Sequence, residues 1–306
     1  MRTSRRTART VTAAAAALVI TALLPPGDGV HRGSLRTTRP AAADDPAGAA
    51  STDLGVLPEP VPAGPVPRCP SLAVAGHRGA PEAAPENTMA AFRAALAGGA
   101  DWLETDVRTT RDGVPVLMHD DTVDRVTDGH GRVADLTADR IAALHVTAGP
   151  GLAQPVPTLD RLLRELSGTR TRLLMEIKEQ DSPGNAARAA RAAAASGADV
   201  VLYSFHPAML RAAHAAAPGL PVVLVQGTAD AEDPGGLRLS GIALEETLAT
   251  PERIAREHAA GRQVYVWTPD READWRTAAD RHADALITDV PAAARAWTDT
   301  HCPPLL

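Results

Sequence analysis

Aromatic residues are scarce in this chain: two Phe, two Tyr and four Trp make up 3% of its 306 residues. So small a supply argues against the exposed apolar rim by which an enzyme holds lipid tails. Basic charge is short as well, with 31 Lys and Arg against 37 Asp and Glu for a net of −6. That balance argues against broad nucleic-acid binding, which needs a basic face. The chain has no GxSxG elbow, which disfavours Ser-His-Asp hydrolysis, and no GxGxxG after its first apolar run, which disfavours dinucleotide binding. It has only two cysteines and no CxxC spacing, so neither a zinc site nor a thiol nucleophile is indicated. Lysine is the rarest absence of all. Lys178 is the only one, and every other basic residue is arginine.

Long hydrophobic runs are also missing. The longest, 11–24, is fourteen residues broken by Thr12 and Thr21, and it follows Arg2, Arg5, Arg6 and Arg9. This is the layout of an export signal and falls short of the ~18 apolar residues of a membrane span. With Ala41-Ala42-Ala43 as the cleavage site, residues 1–43 are expected to be removed and the mature protein to be secreted without a membrane span. Their loss takes away seven Arg and one Asp and moves the net charge from −6 to −12. Residues 44–68 carry Pro58, Pro60, Pro62, Pro65 and Pro67, too densely spaced for a helix or central strand, and read as a leader or linker. The remaining span, 69–302, has the size of a single (β/α)8 domain. Cys69 and Cys302 bracket it. In an exported chain an even pair reads as a disulfide, and a closed barrel sets its first strand beside its last helix, so these two are expected to be bridged.

Apolar runs and amphipathic helices alternate along 69–302. Strands are expected over 72–75, 102–107, 173–177, 200–203, 222–225, 242–244, 264–267 and 285–288. Helices are expected over 88–97 with Asn87 as cap, and over 158–166, 185–195, 207–216, 251–260, 271–282 and 291–297. The fifth crossover, around Pro234-Gly235-Gly236, is irregular. Eight strands with mostly helical crossovers predict an α/β fold of the TIM-barrel type. One run breaks the alternation. Val114 to His119 follows the second strand too closely for a parallel crossover and predicts a hairpin. A turn centred between Arg111 and Asp112 makes paired numbers sum to about 223, which sets His119 opposite Glu104. The hairpin opens an insertion over about 109–157 that lies over the barrel mouth, with a short helix at 138–144.

Polar clusters sit where the apolar runs stop, which in a parallel barrel is the ligand-binding end. Glu104 and Asp106 are two apart and face one side of their strand. Two inward carboxylates repel and are desolvated unless a cation joins them, and Glu176 at the third strand's end supplies a third oxygen donor. Three hard oxygen ligands suit Mg2+ or Ca2+. His77 and His119 are the candidate proton carriers. Arg78 offers a bidentate fork and Lys178 a point charge for a phosphodiester oxyanion. Phe205 and Trp267 end their strands at the mouth as an apolar wall, with core packing equally open for Phe205. Glu245, at the end of the sixth strand, stands between a contact to a cationic head group and a solvated carboxylate.

The pattern His77-Arg78-Gly79, Pro85-Glu86-Asn87-Thr88, Glu104-Thr105-Asp106-Val107, Asp112-Gly113, His119-Asp120, Asp124-Arg125, Glu176-Ile177-Lys178, Val266-Trp267-Thr268 and Ile287-Thr288-Asp289 resembles the glycerophosphodiester phosphodiesterase family across nearly the whole chain after Cys69. The resemblance implies a metal-dependent barrel hydrolase releasing glycerol 3-phosphate and an alcohol from a small glycerophosphodiester. It implies metal binding by Glu104, Asp106 and Glu176 and acid-base work by His77 and His119. Pro269-Asp270 departs from the family, where Asn often stands two residues after the Trp-Thr pair. Two other readings compete. One keeps the barrel but takes lysophospholipid, sphingolipid or teichoic acid, and the other is a non-catalytic phosphodiester-binding protein, which would have lost an acid, base or ligand.

Overall fold

The computed structural model describes residues 72–178, 182–229 and 234–302. The expected export signal (1–43), the leader (44–68) and Cys69 lie outside the described residues. In chain order the elements are β1 (Ala73–Gly76), α1 (Met89–Ala97), β2 (Trp102–Thr109), β3 (Pro115–Leu117), α2 (Ala138–Ala142), β4 (His145–Val146), β5 (Gln154–Pro155), α3 (Leu159–Leu166), β6 (Arg172–Ile177) and α4 (Pro183–Ala195). Then come β7 (Asp199–Ser204), α5 (Pro207–Ala216), β8 (Val222–Gln226), β9 (Gly241–Glu245), α6 (Pro251–Ala259), β10 (Gln263–Trp267), α7 (Glu272–Asp280), β11 (Ala285–Thr288) and α8 (Pro291–His301). No helix among the described residues joins β8 to β9, as the irregular fifth crossover predicts. No helix of the described residues is long and apolar enough to cross a membrane.

Eight strands pair in parallel in the order β1, β2, β6, β7, β8, β9, β10, β11, and β11 returns to β1 with Ala75 opposite Ile287. The sheet therefore closes into the predicted (β/α)8 barrel. Each strand is buried on both faces, and alternate residues divide between two cores. Leu103, Leu173 and Leu202 pack outward against the helices, while Ala75, Leu174, Val201, Val223, Ala243, Tyr265 and Ile287 fill the interior. Helix starts are set by side-chain caps. Thr88, Thr158, Ser182 and Thr250 each accept a hydrogen bond from a backbone N–H of their own first turn.

The structure corrects two details. Thr88, not Asn87, caps α1, because Asn87 is held at φ 55° and turns its amide toward the barrel mouth. Asn is among the few residues that accept this left-handed conformation readily. The hairpin register is also shifted by one: Val107 faces Leu117 and Thr109 faces Pro115, so paired numbers sum to 224. A five-residue loop replaces the even turn, closed by Thr110 and Val114 and by the positive φ of Gly113. His119 thus lies one position off the Glu104 register, just past the Met118 N–H to Asp106 carbonyl bond that ends the pairing. The insertion has its own apolar centre of Val116, Met118, Val123, Val126, Val133, Ile141, Val146 and Val156. It abuts the β1–α1 loop, and a Cβ on Gly149 would meet Pro85 Cα at 3.2 Å.

Candidate active site

The inward rows of the strands do not stop at the apolar core. Followed toward their C-terminal ends, they run from Ala75 to His77, from Leu174 through Glu176 to Lys178, from Tyr203 to Phe205, from Tyr265 to Trp267 and from Ile287 to Asp289. Period-2 alternation therefore delivers chemistry-bearing side chains to one rim. A cavity of about 170 Å3 opens there, lined by His77, Arg78, Glu104, His119, Glu176, Lys178, Phe205 and Trp267 among others. Every residue that the sequence assigns to metal binding, proton transfer or phosphate contact borders this cavity or, for Asp106, lies just beneath it.

Glu104, Asp106 and Glu176 are buried, and each offers an oxygen within 4.8 Å of the other two. Asp106 and Glu176 are direct partners across β2 and β6. Lys178 Nζ bridges them, 2.6 Å from Asp106 Oδ1 and 2.8 Å from Glu176 Oε1. Asp106 Oδ2 accepts from Asn87 Nδ2 at 2.7 Å, with Arg78 Nε 3.4 Å away. Glu104 has less support, accepting the Arg78 backbone N–H at 2.9 Å. That N–H is aimed by the left-handed φ of 52° at Arg78. The turn also requires Gly76, whose missing Cβ would collide with the Gly79 carbonyl.

The charges do not balance. Burial pushes Asp106 up, but Lys178 and Arg78 outweigh it and hold its pKa well below the usual range. Burial and the Asp106 charge drive Glu104 up to about 8. Burial likewise carries Glu176 to about 7 against the pull of Lys178. Two cations thus serve three carboxylates, and Glu104 and Glu176 are driven toward their protonated forms unless a further cation joins them. Asp106 Oδ1, buried, has the lysine beside it but no hydrogen bond of good geometry. An all-oxygen, electron-rich, underneutralised cluster is a fitting seat for a divalent cation.

Each histidine is oriented by a carboxylate. His77 Nδ1 lies 2.6 Å from Asp289 Oδ1, and His119 Nδ1 lies 2.7 Å from Asp120 Oδ1. Both acceptors are carboxylates, so both rings carry their proton on Nδ1 and leave Nε2 for the cavity. The two rings differ in charge preference. Burial lowers His77, but the Asp289 bond and the Glu104 charge outweigh it and raise it above 6.5. Burial dominates at His119 and lowers it, with Lys178 and Arg78 adding to the effect against Asp106. Across the cavity, Phe205 and Trp267 meet edge to face at 5.5 Å between centroids, so both form the apolar wall.

The model of the glycerophosphoryl diester phosphodiesterase family matches residues 77–293, from the first cavity histidine into α8. The chain belongs to this family. The glycerophosphodiester phosphodiesterase of Caldanaerobacter subterraneus is 34% identical over 229 residues, covering 71% of this chain and 94% of that protein. Human glycerophosphodiester phosphodiesterase 1 is 41% identical over 128 residues, and the match spans 37% of this chain and 39% of the human protein's length. The crystal structure of glycerophosphodiester phosphodiesterase from Agrobacterium tumefaciens superimposes with a TM-score of 0.64 at 31% identity, covering 74% of this chain and 99% of that one.

Within this family frame, the sequence left several roles unassigned. Asp289, Asp120, Glu86 and Arg125 all appear in the motifs without a function, and Asn87 is read there only as a helix cap. Asp289 is 212 positions from His77 and Glu86 is 39 from Arg125, so no local pattern reports those contacts, whereas Asp120 stands next to the histidine it orients. Asp270, where the family often has Asn, accepts from Thr288 Oγ1 and the Asp289 N–H at 2.8 Å each. It therefore holds the loop that orients His77. Glu245 accepts from the Thr247 N–H at 2.9 Å in an exposed hydrogen bond and caps a single 3-10 turn.

Proposed function

We propose that the chain is a secreted, divalent-cation-dependent phosphodiesterase that hydrolyses glycerophosphodiesters to glycerol 3-phosphate and an alcohol. The observation that carries this reading is the convergence of three carboxylates within 4.8 Å, Lys178, Arg78 and two oppositely poised histidines on one cavity. Glu104, Asp106 and Glu176 would hold Mg2+ or Ca2+, which when bound supplies positive charge to the phosphodiester oxygens. Arg78 and Lys178 line the cavity as donors to those same oxygens, and their stabilisation grows as negative charge develops there. His119, favoured neutral, accepts at Nε2 the proton of the attacking nucleophile, whether water or a substrate hydroxyl. His77, favoured protonated, delivers a proton from Nε2 to the departing alkoxide. Phe205 and Trp267 exclude water from the organic part of the substrate.

Secretion rests on the N-terminal sequence. Against a lipid substrate stands the surface: among the described residues Leu152 is the one exposed large hydrophobic side chain. Against a non-catalytic binding role stands the complete set of acid, base and ligands. The test is release of glycerol 3-phosphate by the purified chain from glycerophosphocholine, glycerophosphoethanolamine, a lysophospholipid and teichoic acid, with and without chelator. Chelator-sensitive turnover of the first two supports the proposal, and turnover of the lysophospholipid or polymer alone overturns it.

Two further outcomes follow. Lys178→Arg keeps the charge but puts a broad planar fork where a compact ammonium bridges two carboxylates. Displacing those oxygens by about 1 Å should cost on the order of 10²-fold in kcat/KM. Steady-state kinetics decide, and wild-type turnover would leave Lys178 a purely structural role. The second concerns Cys69 and Cys302. Cys302 is buried and lines the same cavity as Leu72, three residues after Cys69, at the barrel end opposite the active site. A bridge there would stabilise by about 4–5 kcal/mol in the chain-entropy model. Reduction should lower Tm while leaving turnover at low temperature intact. Two titratable thiols in the unfolded, non-reduced protein would show that no bridge exists.

A further inference from the structure

Arg125 touches neither the cavity nor the acidic cluster, yet it stands one residue away from both halves of the chemistry. It comes from the insertion, in the irregular stretch after β3. Its guanidinium donates to two carboxylates at once. Nε reaches Asp120 Oδ2 at 2.5 Å and Nη2 reaches Asp120 Oδ1 at 3.3 Å. Nη1 reaches Glu86 Oε2 at 3.0 Å and Nη2 reaches Glu86 Oε1 at 2.8 Å. Asp120 Oδ1 in turn takes the Nδ1 proton of His119, and Glu86 Oε1 accepts from Arg78 Nη1 at 3.1 Å. An unbroken chain of charged hydrogen bonds therefore links His119 through Asp120, Arg125 and Glu86 to Arg78.

We propose that Arg125 is a positioning residue that locks the proton carrier His119 and the phosphate donor Arg78 to one another across the joint between the insertion and the β1–α1 loop. Asp120 and Glu86 share donors on one guanidinium, so without it the two carboxylates face each other with only His119 and Arg78 as their remaining partners. Each would then turn away, Asp120 releasing the imidazole and Glu86 releasing the guanidinium of Arg78. A lysine cannot stand in. An ammonium is a point donor and lacks the planar fork that engages two carboxylates bidentately. Besides carrying His119 and Asp120, the insertion thus contributes to catalysis by holding the site's geometry through Arg125.

This rests on the phosphodiesterase reading for its kinetic arm only. Histidine 15N NMR on the full chain, without metal or substrate, reads the ring tautomers directly. The wild type should show His119 with its proton on Nδ1, and both Arg125→Ala and Arg125→Lys should shift it toward a mixture with Nε2–H. An unchanged His119 tautomer in both variants overturns the proposal, whether or not the chain hydrolyses phosphodiesters. In kinetics, Arg125→Ala should lower kcat by roughly 10²-fold and raise KM, the scale expected for ~1 Å of lost alignment. The kcat loss should vanish in an Asp120→Asn background and the KM rise in a Glu86→Gln background. Millimolar guanidinium should restore part of the activity of Arg125→Ala. Thermal melts separate loss of fold from loss of function, and Arg125→Lys carries the test should the alanine variant not fold. Wild-type kinetics in Arg125→Lys, or full additivity in both double variants, would overturn the assignment.

Discussion

Replacing Glu104 with Gln is expected to cut divalent-cation affinity by more than about 100-fold, beyond what loss of a supporting outer-shell group costs, and to abolish turnover at physiological metal. The substitution keeps the shape of a side chain buried to 1% exposure and removes one of three charges. The metal-free fold should not suffer and should gain. Glu104 is pushed up to about 8 in the folded protein from an ordinary 4.5, so between those values the folded state holds a proton that the unfolded chain has lost. Stability of the metal-free wild type therefore declines as pH rises through this window, and Glu104→Gln removes that decline. The metal reverses the sign for the wild type alone. A cation at 100 times its Kd adds about 2.7 kcal/mol of stability, and the variant should gain almost none of it. Calorimetric titration and melts with and without chelator check both halves. Full activity in excess chelator would sink the metal assignment, and a Glu104→Gln protein that binds metal like wild type would remove Glu104 from it.

Much of this was legible in the sequence because a barrel has strict bookkeeping. Eight alternating runs fix the strand count, and period-2 alternation fixes which residues face inward, so Glu104, Asp106, Glu176 and Lys178 had to share a rim. Strand and helix limits fell within a few residues of those observed, and α5 and β11 coincide with their expected ranges. The register of the hairpin did not follow, since a five-residue loop and an even turn differ by a single residue in the sum while the sequence around Asp112-Gly113 permits both. The cap of α1 was misjudged for a related reason. Asn87 and Thr88 are both good caps, and the choice is made by tertiary bonds from Asn87 to Thr105 and Asp106 at 2.7 Å each. Of the orienting carboxylates, Asp289 looks like any polar residue after a strand, and only closure of the barrel shows that it faces His77. Asp120 follows His119 directly, but sequence neighbours need not meet through their side chains, and the structure shows that these two do.

Removing either histidine should lower kcat by roughly 10²-fold or more, the usual scale of lost general acid-base catalysis, but the two variants should differ in their pH profiles. His119 sits below 6.5 because burial disfavours its charge, and it works unprotonated. As pH falls through its pKa it gains a proton and kcat/KM declines, which makes it the acidic limb. His77 sits above 6.5 because Asp289 and Glu104 outweigh its burial, and it works protonated. As pH rises through its pKa the acid is lost and kcat/KM declines again, which makes it the basic limb. The wild type should therefore be bell-shaped, with His119 setting the acidic limb and His77 the basic one. His119→Ala should flatten the acidic limb and keep the basic one, and His77→Ala should do the reverse. A further discrimination comes from the leaving group. A glycerophosphodiester of an acidic alcohol such as p-nitrophenol departs without protonation, so it should rescue His77→Ala far more than His119→Ala. Equal rescue of both would mean the roles are not divided as assigned. A rise in KM alone for His119→Ala would move that residue from proton transfer to substrate binding.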